Sequence, residues 1–399
     1  MPRIVVFGAG SIGRSFIGQI FAVNGYEVVF VDIDGRTIDA LNRRRAYDVV
    51  IRHPAGGEET LHVSGVRAVD ARDTDQVSEE LVGADLAATA VGAGALPSVA
   101  GLIRLGLLAR RANGCETPLD VILAENVRDA ATLVADVVGA GTRVQRKELL
   151  EAVGLVRTSI GKMVPIVPAE VAEHDPLIVF AEPYNTLIVD AHGFRGRIPD
   201  IPQIDAVDDI QAYVDRKLFL HNLGHAAVSY VGFRTAPKVT TIAEAVGIEP
   251  VRAAARGAMS EAAAALAAAY PGSFSIAELH DHRDDLLYRF ANRALGDTVY
   301  RVGRDLSRKL SRDDRLVGAM LLAARHGIDF TRIADVYRAA LVFRATDEAG
   351  NPFPPDEHVI ALARSGGAGA VLTDVSGLRQ DATPDDRVIA AVLSREAPP

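Results

Sequence analysis

The residues with the most obvious capacity for chemistry lie just past the middle of the chain, in Arg216-Lys217-Leu218-Phe219-Leu220-His221-Asn222-Leu223-Gly224-His225. On a helix at about 100° per residue, Asn222 lies roughly 140° from Lys217, with His225 between them at about 80°. Three polar groups would then share one wide face over roughly 12 Å of axis. Such groups on an otherwise apolar helix are costly unless they face a wet cleft or have partners. Three readings fit. His221 and His225 at i,i+4 are a possible zinc pair, although no Glu follows His221 and no third ligand stands out; His280-Asp281-His282 is the nearest donor run. A capping or core arrangement is the bland reading. The third is a lysine general base beside an Asn and a His that hold an alcohol or carbonyl. Burial would lower the lysine pKa into the working range.

A second cluster is cationic. Arg301, Arg304, Arg308 and Lys309 stand at i, i+3, i+7 and i+8, so a continuous helix would put them on one face. Arginine suits a phosphate or carboxylate through its bidentate fork. The expected visitor is a substrate phosphate or the carboxylate of a sugar acid. The alternative is a set of salt bridges to Asp305, Asp313, Asp314 or carboxylates of the first domain. Phe290, Tyr288 and Tyr300 nearby read as core.

The third feature opens the chain. Arg3–Phe7 is a β-branched run that leads into Gly8-Ala9-Gly10-Ser11-Ile12-Gly13 and then a helical stretch. In a dinucleotide turn, Gly8 makes the tight bend, Gly10 admits the pyrophosphate, and Gly13 lets the helix pack on the strand. The helix N-terminus at Ser11 and Ile12 offers free N–H groups to phosphates. A second strand, Glu27–Val31, ends in Asp32, placed to accept bonds from a ribose diol and to repel a 2′-phosphate. That favours NAD over NADP, and Arg36 would soften the preference. The strand ends at Thr89–Gly92, which hold Thr89 and Val91, and at Glu125-Asn126 are expected in the same crevice.

These groups need elements to carry them. The chain has 399 residues, 49% of them hydrophobic and 24% charged, enough for two globular domains. The net charge of −9 argues against a nucleic-acid partner, which would want a basic face. No sequence run approaches the eighteen or more apolar residues of a membrane span. One cysteine, Cys115, excludes an intrachain disulfide framework. The first strand begins too early for a signal peptide, so the expected location is the cytoplasm.

Arg3–Phe7, Glu27–Val31, Leu86–Val91 and Val121–Ala124 read as parallel strands with helices between them, a doubly wound α/β domain. Val153–Ser159, Leu177–Phe180 and Thr186–Val189 read as strands that extend or flank its sheet. His192–Asp209 is rich in Pro and Gly and reads as a linker, giving domains 1–195 and 196–399. Beyond it Ile210–Tyr230, Pro250–Tyr270, Asp284–Arg293, Asp314–His326 and Phe330–Phe343 have helical period. The expected architecture is a Rossmann-type domain followed by a mainly α-helical one.

With these motifs in view, the chain resembles the polyol-specific long-chain dehydrogenase/reductase (mannitol dehydrogenase) family, most closely its mannitol-1-phosphate 5-dehydrogenases. The resemblance spans nearly the whole chain. It rests on Phe7-Gly8-Ala9-Gly10-Ser11-Ile12-Gly13-Arg14, Ala124-Glu125-Asn126, Asp190, the Lys217/Asn222/His225 spacing, and the run from Arg301 to Leu310. It implies metal-free interconversion of a polyol and a ketose with NAD. Lys217 would be the acid/base, Asn222 and Asn126 would hold the reacting oxygen, and His225 would orient a substrate hydroxyl. The Rossmann domain would hold the cofactor, with mannitol 1-phosphate and fructose 6-phosphate the leading substrate pair. The same chemistry on a sugar acid or an unphosphorylated polyol is one alternative, and a non-catalytic NAD-sensing module is another. There is one departure. Gly161 and Lys162, before Pro165, stand where the family signature has Asp and Arg. That points to an altered substrate, with Lys162 either reaching it or standing as a solvated loop lysine. Expected partners are a small polyol or polyol phosphate, NAD, and at most a few copies of the same chain.

Overall fold

The computed structural model describes residues 1–125, 129–165, 167–379 and 385–393. Asn126 lies outside them. The chain divides into two compact units, Met1–Val214 and Asp215–Pro399. The division falls at 214/215, beyond the expected 195/196, because the supposed linker contains a strand that belongs to the first unit.

Among the described residues, eleven strands build two sheets in the first unit. They are β1 (Arg3–Phe7), β2 (Glu27–Asp32), β3 (Ala46–Arg52), β4 (Glu58–Ser64), β5 (Val66–Asp70), β6 (Leu86–Thr89), β7 (Leu119–Leu123), β8 (Val153–Ser159), β9 (Val179–Ala181), β10 (Leu187–Asp190) and β11 (Ile204–Val207). The large sheet runs β11-β10-β8-β7-β6-β1-β2-β5. From β8 to β5 every pairing is parallel. The order reverses between β1 and β6, which is where an open parallel sheet leaves a crevice for a ligand. β10 pairs antiparallel with β8, and β11 parallel with β10. The small sheet is β4-β3-β9.

β1 displays the physics of the large sheet. Ile4 and Val6 point into one core and Val5 and Phe7 into the other, so apolar residues fill both faces. The helix 93–112 is long and apolar enough to cross a membrane by length and composition, which the sequence reading did not anticipate. Its Leu96, Val99, Ala100, Ile103 and Leu107 are buried in the second of these cores.

The second unit is helical. Leu223–Thr235 packs on the Ala-rich helix Glu249–Ala269. Small residues permit the approach: a Cβ on Gly224 would stand 2.5 Å from Met259 Sδ, and Gly232 likewise seats the short helix Ile242–Val246, where a Cβ would stand 2.9 Å from Ala245 Cβ.

Candidate active site

In the first unit the glycine turn has a specific geometry. Gly8 adopts φ +98°, and a Cβ there would lie 2.5 Å from the Ala90 carbonyl oxygen. A Cβ on Gly13 would overlap the Gly8 carbonyl oxygen at 1.9 Å, so only glycine lets the helix seat on the turn. Gly10 differs: it is exposed, and among the described residues nothing lies within 4 Å of where its Cβ would be. Ser11 is exposed beside it, Ile12 is half-buried, and the helix runs on as a π-helical segment, Gly13–Gly18. Asp32 closes the turn from the end of β2. Its Oδ2 accepts from Ala9 N at 2.6 Å, and its Oδ1 accepts from Ile33 N at 2.7 Å and Asp34 N at 3.0 Å. A carboxylate has about four acceptor positions, so one remains for a diol.

Thr89, Val91 and Glu125 come together at the ends of β6 and β7, but Glu125 is occupied. It is buried, takes a hydrogen bond from Thr89 Oγ1 at 2.5 Å and another from Val91 N at 3.0 Å. Burial holds its pKa above the usual carboxylate range. Lys162 is not a solvated loop lysine. It is buried, donates to Asn185 Oδ1 at 2.9 Å, and sits 5.2 Å from the centre of the Phe16 ring.

In the second unit Lys217–Asn222 is a π-helical segment, continued by the α-helix Leu223–Thr235. Hydrogen bonding from i to i+5 widens the turn and brings Lys217 and Asn222 nearer to one face than the 140° of an α-helix. Lys217 and Asn222 are half-buried. Burial, with Arg315 and Arg308 adding to it against Asp314, lowers the Lys217 pKa to about 7. Asp314 accepts from Arg315 Nε at 2.6 Å and from Arg308 Nη1 at 3.3 Å.

His225 stacks on Phe290, with ring centroids 4.8 Å apart and planes 8° from parallel. Its Nε2 faces Asp297 Oδ2 at 3.4 Å. Burial, with Arg301, Arg315 and Lys309 adding to it, lowers its pKa to about 3, so this contact joins a neutral ring to a carboxylate. His225, Phe290, Asn292 and Asp297 line a cavity of about 10 Å³, roughly the space for one water. His221 is buried against Phe290, and among the described residues no three His, Cys, Asp or Glu are grouped to hold a metal.

The cationic run does not form one helical face. The helix Val299–Gly303 stops, Asp305 takes the left-handed conformation at φ +74°, and a new turn, Leu306–Lys309, begins under the Asp356 carboxylate. Arg301 pairs with Asp297. Arg308 pairs with Asp305 at 2.5 Å, and with Asp314 as above. Lys309 is buried across the break, donating to the carbonyls of Val302 at 2.7 Å and of Arg304; burial lowers its pKa to about 7. Arg304 differs. Its guanidinium lies 5.4 Å from the Tyr300 ring centre and 5.2 Å from that of Phe353, and among the described residues no carboxylate pairs with it. Phe290 is core as expected, whereas Tyr288 is exposed.

Asp297 and Arg315 were not anticipated as parts of this site, and Asp314 was expected only as a salt-bridge partner of the cationic run. Asp297 had a signal, four residues before Arg301 at ion-pair spacing. Nothing local marked Arg315, which reaches the site only through the fold.

Two family descriptions cover almost the whole chain: the mannitol dehydrogenase Rossmann domain over residues 2–203 and the mannitol dehydrogenase C-terminal domain over residues 209–395. Two solved structures have a similar fold. One is a D-sorbitol dehydrogenase in substrate-free form, 18% identical, with a TM-score of 0.79 over 98% of this chain and 92% of that one. The other is the Pseudomonas fluorescens mannitol 2-dehydrogenase in ternary complex with NAD and D-mannitol, 18% identical, with a TM-score of 0.72 over 98% of this chain and 90% of that one. With both of its domains present in order, the chain belongs to the mannitol dehydrogenase family.

Proposed function

We propose that the protein is an NAD-dependent oxidoreductase that interconverts a polyol and a ketose, with Lys217 as the acid/base. The observation that carries this is a half-buried lysine, its pKa near 7, on the same π-widened stretch as Asn222 and followed by His225. The first unit fits the dinucleotide: open space over Gly10, a helix N-terminus at 11–12, and a fixed carboxylate at Asp32. When bound, NAD supplies the acceptor or donor of the hydride.

The chain's own residues handle the proton and the oxygen. Neutral Lys217 takes the proton of the substrate hydroxyl during oxidation and returns it during reduction. The Asn222 amide donates to the oxygen on which negative charge develops. His225 orients a neighbouring hydroxyl.

For the substrate we favour a polyol phosphate, with mannitol 1-phosphate and fructose 6-phosphate as the pair to try first. Arg301, Arg308, Lys309 and Arg315 set a positive field around Lys217 and His225. Arg304, stacked but without a carboxylate, is the natural phosphate ligand. An unphosphorylated polyol is the second reading. It is favoured by the internal partners of Arg301, Arg308 and Lys309, and by the substrates for which the two similar structures are named.

The test is NADH oxidation with fructose 6-phosphate, fructose and a set of keto sugar acids, with Lys217→Ala as control. Turnover on fructose 6-phosphate that falls by roughly 10²–10⁴ in the variant, with NADH still bound, supports the first reading. Turnover on fructose alone moves the assignment to the second. NADH binding with no turnover on any ketose sinks both.

A further inference from the structure

We propose that Asp297 is a positioning residue that keeps the ring proton of His225 on Nε2, leaving Nδ1 as the acceptor available to a substrate hydroxyl. The hydroxyl rests on the polyol reading above; the position of the proton does not.

Stacking on Phe290 fixes the plane of the imidazole but not which nitrogen carries the proton. Asp297 decides that. It is buried at 7% exposure, and its two oxygens face different groups. Oδ1 meets the Arg301 guanidinium, whereas Oδ2 faces His225 Nε2 at 3.4 Å. Nε2 is buried and, among the described residues, has no hydrogen-bond partner. An N–H on Nε2 would be drawn to the carboxylate. A bare Nε2 would set its lone pair against the lone pairs of Oδ2 in a medium that screens weakly. The first arrangement is favoured. The ring is neutral, since burial and the surrounding Arg301, Arg315 and Lys309 oppose a second proton. With Nε2 protonated, Nδ1 keeps its lone pair and accepts an O–H bond.

Asp297 therefore joins two groups of the site. One carboxylate sets the tautomer of His225 and anchors Arg301, so a single residue ties the orientation of a hydroxyl to the placement of a cation. Its backbone is itself held, the carbonyl accepting from Ile242 N at 2.9 Å.

The experiment is nitrogen NMR of the full chain labelled at the ring nitrogens of its ten histidines, without substrate. The His225 signals are assigned by their loss in His225→Gln. The expected wild-type spectrum has a protonated, pyrrole-type Nε2 and a bare, pyridine-type Nδ1. The reverse assignment overturns the proposal, and that measurement needs no altered Asp297. In Asp297→Asn the proton is expected to move wholly or partly to Nδ1; an unchanged spectrum in a folded variant also overturns it. In the active enzyme, kcat/KM for the sugar is expected to fall roughly tenfold to a hundredfold in Asp297→Asn while NADH affinity is kept. A shifted tautomer with unchanged kcat/KM refutes the hydroxyl half. An enzyme that turns over no ketose removes the polyol reading, and the wild-type spectrum still decides the role of Asp297.

Discussion

Lys217 differs from a surface lysine in having its pKa lowered to about 7, chiefly by burial. With Lys217 as the proposed acid/base, polyol oxidation would need the free amine, so its rate should climb about tenfold per pH unit below 7 and level off above it. Ketose reduction needs the ammonium and should fall above 7. Asp314 works against the burial, raising the value while Arg315 and Arg308 lower it. Asp314→Asn removes that counterweight and leaves both arginines less compensated. The oxidation limb is therefore expected to move to lower pH, which pH profiles of kcat in the wild type and the variant would measure; a shift to higher pH would contradict this account. At this scale the sequence was informative about residue type and poor about surroundings. Lys217, Asn222 and His225 could be picked out by their spacing. The partners that tune them come from other segments: Asp297 and Asp314 are marked only by their spacing to the arginine run, and Arg315 carries no local mark.

Elements decide which of these groups meet. β1 and β8 matched the expected ranges because they are β-branched runs bounded by turn residues. β3, β4 and β5 were not anticipated. β4 is mostly exposed and opens with Glu58 and Glu59, and β5 is interrupted by Arg67, whose guanidinium is held by Glu27 and Glu80. Neither reads in sequence as an unbroken apolar run, although Val66, Ala68 and Val69 of β5 are buried. β11 hid in a Pro/Gly-rich stretch, and β9 left the large sheet to pair with β3. The cationic run failed as one helix because Asp305 turns left-handed and the backbone N–H groups of Asp305 and Leu306 bond to Asp356, a contact from fifty residues away. The glycine turn offers an element-scale contrast. Gly13→Ala places a methyl group on a carbonyl oxygen and should cost about 1–3 kcal/mol, seen as a lower urea midpoint. Gly10→Ala meets no atom, so the midpoint should stay while NADH affinity measured by calorimetry drops. Equal loss of stability in both variants would refute the division of labour.

For the molecule as a whole, net charge and local charge have opposite signs. The chain carries −9, yet Arg301, Arg304, Arg308, Lys309 and Arg315 gather within its helical unit. An anionic substrate is repelled at long range and attracted at short range. Added salt screens exposed charges over about 8–10 Å, so the KM for fructose 6-phosphate should depend on ionic strength while that for an uncharged ketose should not. Arg304→Leu should raise the first KM and leave the second alone; parallel changes in both would remove phosphate recognition from this cluster. The π-helical segments at 13–18 and 217–222 have a further consequence. A turn closed from i to i+5 stores one residue more than the α-turn it replaces, so each is a one-residue insertion absorbed inside a helix instead of being expelled into a loop. Excising one residue between 218 and 221 would let the helix relax to ordinary pitch with the residues on either side, Lys217 and His225 among them, close to their present register. A helix can thus gain or lose such a widened turn without moving the core packed on either side of it.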